Sequence, residues 1–294
     1  MTDITLLDGG MGQELIRRSG DTATPLWATQ VMIDHPCMVS AVHRSYRDAG
    51  ATVAMTNTYA LHRDRLLGTA YEDRFAALYS TALTEAEAAC AGHGRIAGAI
   101  GPLRASYRPD IHPEPAEAVP LYAEVAQLLG SRVDLIICET IASIDHARSV
   151  LAGAMTAGKP VWLAMTVDDN DGTRLRSGER LSDVIPHTKG AAALLANCAA
   201  PEAISTAIDI LADGDLPFGG YANGFQQITS DFLKDKPTVS SLSARHDLGP
   251  KEYADHAMGW LEQGATIVGG CCEVGPAHIA ELAAALRAAG HEIV

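Results

Sequence analysis

Short apolar runs alternate along this chain with longer stretches in which apolar residues recur every three or four positions. The runs cover residues 4–7, 51–56, 95–100, 133–138, 161–166, 191–196, 218–223 and 265–270. Each is too short for a helix, and most are bounded by Gly, Pro, Asn or Asp, so each predicts a buried strand. Between them the helical spacing predicts helices over 13–18, 36–49, 66–91, 116–129, 144–157, 181–187, 201–211, 250–263 and 276–289. Two segments read as irregular: the stretch containing Thr24-Pro25-Leu26-Trp27, and a polar loop over 224–249 long enough to serve as a lid.

About eight strand-then-helix units with no break in composition predict a single (β/α)₈ barrel spanning residues 1–294. A doubly wound open sheet is the rival. The barrel is favoured because the unusual residues Asp8, Asn57, Glu139, Asn197, Cys198, Asn223, Cys271 and Cys272 all fall at the C-terminal ends of strands. Only a closed barrel gathers those ends at one mouth.

With 294 residues, 47% of them hydrophobic, the chain is long enough for a large core. The formal net charge of −14, with no cluster of Lys and Arg, argues against a nucleic-acid partner. No apolar run is long enough to cross a membrane, and the N-terminus lacks a basic segment followed by an apolar stretch. A cytoplasmic location is therefore expected. Six cysteines in a chain of this length do not make a disulfide framework, and metal binding or catalysis suits them better.

The candidate chemistry lies near the end of the chain, where the strand ending in Gly269-Gly270 runs into Cys271-Cys272. Neighbouring residues of a strand face opposite ways, so two adjacent thiols converge only where the backbone turns. Cys198 stands in the same strand-end position behind Asn197. Three thiolates at one mouth suit Zn²⁺ and leave its fourth tetrahedral position open. The alternative is that each is a small core residue. Cys37, Cys90 and Cys138 read as structural, with Cys138 facing away from Glu139. His35, His43, His62 and His187 lack ligand spacing. The turn Asp8-Gly9-Gly10-Met11-Gly12 between a strand and a helix can cradle an anion on backbone N–H groups, though its glycine spacing is not the dinucleotide fingerprint.

Nearly the whole chain resembles the homocysteine S-methyltransferase family, zinc-dependent barrel enzymes with S-methylmethionine-dependent and betaine-dependent branches. The resemblance rests on Leu7-Asp8-Gly9-Gly10-Met11-Gly12, Pro25-Leu26-Trp27, Thr56-Asn57-Thr58-Tyr59, Cys138-Glu139-Thr140, Asn197-Cys198, Tyr221-Ala222-Asn223 and Gly269-Gly270-Cys271-Cys272. It implies Cys198, Cys271 and Cys272 as zinc ligands. It places Asp8 and Glu139 near the amino group of homocysteine and the backbone of Gly9 and Gly10 near its carboxylate. Asn223 joins the substrate-binding set. Tyr59 matches a tyrosine of the betaine branch, and Trp27 matches the Leu-Trp of the S-methylmethionine branch. Two positions depart from the family: Leu103-Arg104 stands where Tyr-Gly is common, and Glu273 replaces a basic residue after the cysteine pair.

The expected function is zinc-dependent methyl transfer from a sulfonium donor, S-methylmethionine or S-adenosylmethionine, to homocysteine, giving methionine. Betaine or dimethylsulfoniopropionate as donor, another thiol or selenol as acceptor, and a non-catalytic zinc- or thiol-binding barrel are the competing expectations. The expected partners are these small molecules; the sequence is silent on oligomeric state.

Overall fold

The computed structural model describes residues 2–22, 24–228, 233 and 242–294. Eight parallel strands close into a barrel: β1 (Asp3–Leu6), β2 (Val53–Met55), β3 (Arg95–Ile100), β4 (Leu135–Ile141), β5 (Val161–Met165), β6 (Ala193–Asn197), β7 (Phe218–Tyr221) and β8 (Ile267–Val268). Each pairs with the next in chain order, and β8 pairs with β1. The seam between β1 and β2 is closed by a parallel bridge from Leu7 to Val53, with Thr52 N donating to Leu6 O at 2.8 Å and Asp8 N to Val53 O at 3.2 Å.

The helices lie outside: α1 (Met11–Ser19), α2 (Ala28–Asp34), α3 (Met38–Ala49), α4 (Arg63–Leu66), α5 (Phe75–Cys90), α6 (Pro115–Gly130), α7 (Ile144–Ala154), α8 (Pro201–Leu211), α9 (Pro250–Glu262) and α10 (Pro276–Ala288). A 3₁₀ segment, Leu181–His187, takes the place of a helix between β5 and β6.

Alternation along the strands produces two apolar layers. Leu135 and Ile137 of β4, Ala193 and Leu195 of β6, and Trp162 and Ile267 fill the barrel interior. Ile136, Cys138, Leu194 and Ala196 point the other way, into the layer between sheet and helices.

The sequence missed three features. The predicted helix over 36–49 starts at Met38 because Cys37 sits at φ 70°, a left-handed turn that separates it from an unforeseen α2. The predicted helical stretch over 66–91 breaks into α4, a 3₁₀ turn at Glu72–Arg74 and α5. A ninth strand, β9 (Glu292–Ile293), pairs with the start of β1 through Asp3 and Ile4, at the rim opposite the cysteines. The predicted loop over 224–249 lies partly outside the described residues, at 229–232 and 234–241, and its reading as a lid falls on those. Among the described residues no helix is long and apolar enough to cross a membrane.

Candidate metal and substrate site

Three cysteines from two strand ends meet at the barrel mouth. The Sγ atoms of Cys198 and Cys271 are 2.7 Å apart, those of Cys198 and Cys272 3.7 Å, and those of Cys271 and Cys272 4.0 Å. Among the described residues this is the one group of His, Cys, Asp and Glu side chains gathered closely enough to hold a metal ion. Tetrahedral thiolates at a Zn–S distance of about 2.3 Å stand roughly 3.8 Å from one another. Two of the separations already match, and the third needs to open by about an ångström. The soft, all-sulfur donor set fits zinc.

Local backbone geometry aims these thiols. Cys198 follows β6 immediately and takes φ 51°, a strained value for a residue with a side chain. Its N–H donates to Tyr221 O at 3.1 Å, that of Cys271 to Ala222 O at 2.9 Å, and that of Gly224 to Cys272 O at 2.8 Å. Beneath them the Tyr253 hydroxyl accepts from Ala222 N at 3.0 Å and donates to Gly269 O at 2.6 Å, tying β7 to β8. The turn beyond the pair is made by Glu273 at φ 65°. Gly269 and Gly270 instead provide room: a Cβ on Gly270 would stand 2.2 Å from Val274 Cγ1.

Tyr107, which the sequence reading did not single out, donates its hydroxyl to Cys198 Sγ at 3.0 Å. The Cys271 and Cys272 thiols, together with this phenol, hold Cys198 well below the ordinary thiol range. Their interaction with Cys198 in turn keeps Cys271 and Cys272 well above it. Tyr107 is carried on the loop after β3, at φ 61°, and Arg176 stacks over its ring with Cζ 5.3 Å from the centroid.

Behind that loop, Tyr122 of α6 collects three imidazoles. Ala142 N donates to His146 Nδ1 at 3.3 Å, so Nε2 carries the proton and donates to Tyr122 Oη at 3.1 Å. The phenol also accepts from Leu103 N at 3.2 Å, and therefore donates to His112 Nε2 at 3.0 Å. His62 packs edge-on against the same ring. Burial lowers all three histidines, His62 to about 4.

Above the sulfurs is a cavity of about 560 Å³. Of the residues expected at the site, Gly9, Gly10, Trp27, Tyr59 and Glu139 line it with the three cysteines. Asp8 and Asn223 do not. Asp8 is turned between β1 and β2, where Oδ2 accepts from Met55 N at 2.9 Å and lies 3.7 Å from His43 Nδ1. Burial raises its carboxyl. The Asn223 Oδ1 closes a turn by accepting from Phe225 N at 3.1 Å.

Glu139 does not follow its strand, as predicted, but sits inside it at an irregularity where Thr140 takes φ 58°. Asn197 pins that irregularity by accepting from Thr140 N at 3.1 Å. The Glu139 carboxylate accepts from Tyr221 Oη at 3.0 Å, and burial lifts it to about 8. Trp27 and Tyr59 meet edge to face with centroids 6.3 Å apart, and the Tyr59 hydroxyl lies 2.7 Å from Ser106 Oγ. A Cβ on Gly12 would stand 2.1 Å from Trp27 Cζ2, so the indole lies flat on the first turn of α1.

Both departures from the family have a place here. Leu103 is buried in the core, while Arg104 holds φ 65° and turns its guanidinium to Glu117 at 2.5 Å. Glu273 is the positive-φ residue beside the cysteine corner.

The family profile described as homocysteine S-methyltransferase matches residues 5–286. A homocysteine S-methyltransferase from Escherichia coli (strain K12) is 31% identical over 96% of this chain and 95% of its own. One from Bacillus subtilis (strain 168), YbgG, is 24% identical over 97% and 95%. The structure of the metallated form of the homocysteine methyltransferase MmuM from Escherichia coli superimposes with a TM-score of 0.78 at 28% identity, covering 97% of this chain and 96% of that one.

Proposed function

This chain belongs to the homocysteine S-methyltransferase family, and from that premise we propose that it transfers a methyl group from a sulfonium donor to homocysteine at a zinc ion held by Cys198, Cys271 and Cys272. The observation that carries the reading is the convergence of those three sulfurs, all within 4.0 Å of one another, on the floor of a cavity with room for two small substrates.

Zinc bound there supplies the deprotonation of the homocysteine thiol, which at its ordinary pKa is largely protonated and a poor nucleophile. The residues of the chain do the rest. The backbone turn at Gly9 and Gly10 brings the homocysteine carboxylate to the first turn of α1, where the N–H groups of Gly12 and Gln13 have no intrahelical acceptor and receive it, the Gly10 N–H being held by Val274 O at 2.9 Å. Glu139 receives the ammonium group, losing its proton as the cation arrives. Trp27 and Tyr59 offer aromatic faces to the donor cation, an attraction worth about 0.5–2 kcal/mol per ring. The donor sulfur leaves as a neutral thioether, so no general acid is needed.

The test is methionine formation by zinc-loaded protein given homocysteine with S-methylmethionine, S-adenosylmethionine, betaine and dimethylsulfoniopropionate in turn. Turnover is expected with a sulfonium and absent with betaine. Turnover with betaine alone overturns the donor assignment, and none with any donor favours a binding protein.

A further inference from the structure

Arg65 sits in α4, on the connection that follows Tyr59, and lines the cavity. Its Nε and Nη2 are buried and meet no acceptor. Most of the charged groups around it are engaged elsewhere. Arg63 grips Glu124 of α6 through Nε at 2.8 Å and Nη2 at 2.6 Å, Asp64 Oδ2 accepts from Arg104 N at 2.6 Å while its Oδ1 is buried and makes no hydrogen bond to Arg65, and the Arg104 guanidinium is on Glu117. Nε and Nη2 form one edge of a guanidinium, the edge that Arg63 uses on Glu124 and that takes both oxygens of a carboxylate side by side. In Arg65 that edge is withdrawn from water without a partner, an arrangement that costs free energy until an anion fills it.

We propose that Arg65 takes the carboxylate of the methyl donor and so selects donors that carry a carboxylate beside the sulfonium centre. The inference rests on the sulfonium reading above. The cavity holds two anion-accepting features on different segments, the first turn of α1 and Arg65. The first lies against the cysteine corner, where a Cβ on Gly10 would stand 2.6 Å from Cys271 O, and therefore serves the substrate whose sulfur binds there. Arg65 lines the same cavity as Trp27 and Tyr59 and lies six residues along the chain from Tyr59, which puts it beside the aromatic pair, where the donor cation is received. A donor with its cation on Trp27 and Tyr59 and its carboxylate on Arg65 would bind at two points.

The experiment is equilibrium binding of S-methylmethionine and of its carboxamide to zinc-loaded protein without homocysteine, in the wild type, Arg65→Gln and Arg65→Lys. The acid is expected to bind wild type at least tenfold more tightly than the amide. That ratio should fall close to one in Arg65→Gln and to an intermediate value in Arg65→Lys, which keeps the charge but loses the fork. An acid that binds wild type no better than the amide, or a preference that survives in Arg65→Gln, overturns the assignment. Because no methyl is transferred in this measurement, failure of the donor reading shows separately, as bound S-methylmethionine that homocysteine does not consume.

Discussion

Tyr107 donates its phenolic hydrogen to the sulfur of Cys198 across 3.0 Å, from a loop 91 residues away in sequence. That bond connects the third strand's loop to the end of the sixth and favours the thiolate form of Cys198. Removing it by Tyr107→Phe should lower zinc affinity by about tenfold, the lower end of what partners of metal ligands contribute, while leaving the fold intact. Competition with a chelating dye measures the change. Unaltered affinity would mean that the phenol only packs.

The turn after β1 lies flush against the cysteine corner. A Cβ on Gly9 would stand 2.2 Å from Val274 O and 2.8 Å from Tyr46 Cε1, with one of those atoms in the backbone. Gly9→Ala should therefore destabilise the protein by about 1–3 kcal/mol, the usual range for overpacking, and weaken zinc binding with it. Chemical denaturation reads the first effect and metal retention the second.

Glu139→Gln should raise the KM for homocysteine by roughly tenfold to a hundredfold, since a hydrogen bond to a charged group is worth about 1.5–3 kcal/mol. Burial holds the free carboxyl at about 8. Well below that pH Glu139 is neutral and resembles glutamine, so the gap between the two enzymes should widen as pH rises through 8. A gap independent of pH would remove Glu139 from ammonium binding.

Strand number, barrel closure and the cysteine trio were legible in the sequence because each rests on period-two burial and on residue types that are unusual at strand ends. Cys198, Cys271 and Cys272 needed only the rule that strand ends share a mouth, whereas Glu139 reaches the cavity from inside β4, at the irregularity beside Thr140. Tyr107 and Arg65 escaped notice because each sits in a loop whose path depends on positive-φ residues such as Arg104 and Tyr107 or on short turns such as α4, which carry no periodicity. Asp8 looked like a mouth residue for the same reason as Glu139, yet its carboxylate turns to Met55 N. One residue past a strand, nothing in the sequence says which way a side chain will go. The strand β9 was invisible because two residues set no pattern.

The imidazoles around Tyr122 make stability depend on pH. His62, His112 and His146 are lowered by burial, so as pH falls below about 6.5 the unfolded chain takes up protons that the folded one refuses. The stability they contribute is complete above 6.5 and is lost as pH falls below it, for His62 down to about 4. The raised carboxyls of Asp8 and Glu139 act oppositely, contributing stability that fades as pH rises. Replacing His112 by Gln, whose amide oxygen can accept from Tyr122, should flatten the fall in stability that sets in as pH drops below about 6.5. Denaturation midpoints across that range check it, and an unchanged slope would clear His112.

The central claim is that three cysteine sulfurs hold one zinc and leave a position for a fourth. X-ray absorption at the zinc edge, taken before and after homocysteine is added, tests it most directly. Three sulfur neighbours at about 2.3 Å with one lighter atom, becoming four sulfurs on addition of homocysteine, is the predicted result. Fewer than three sulfurs beforehand, or a first shell that homocysteine leaves unchanged, would contradict it.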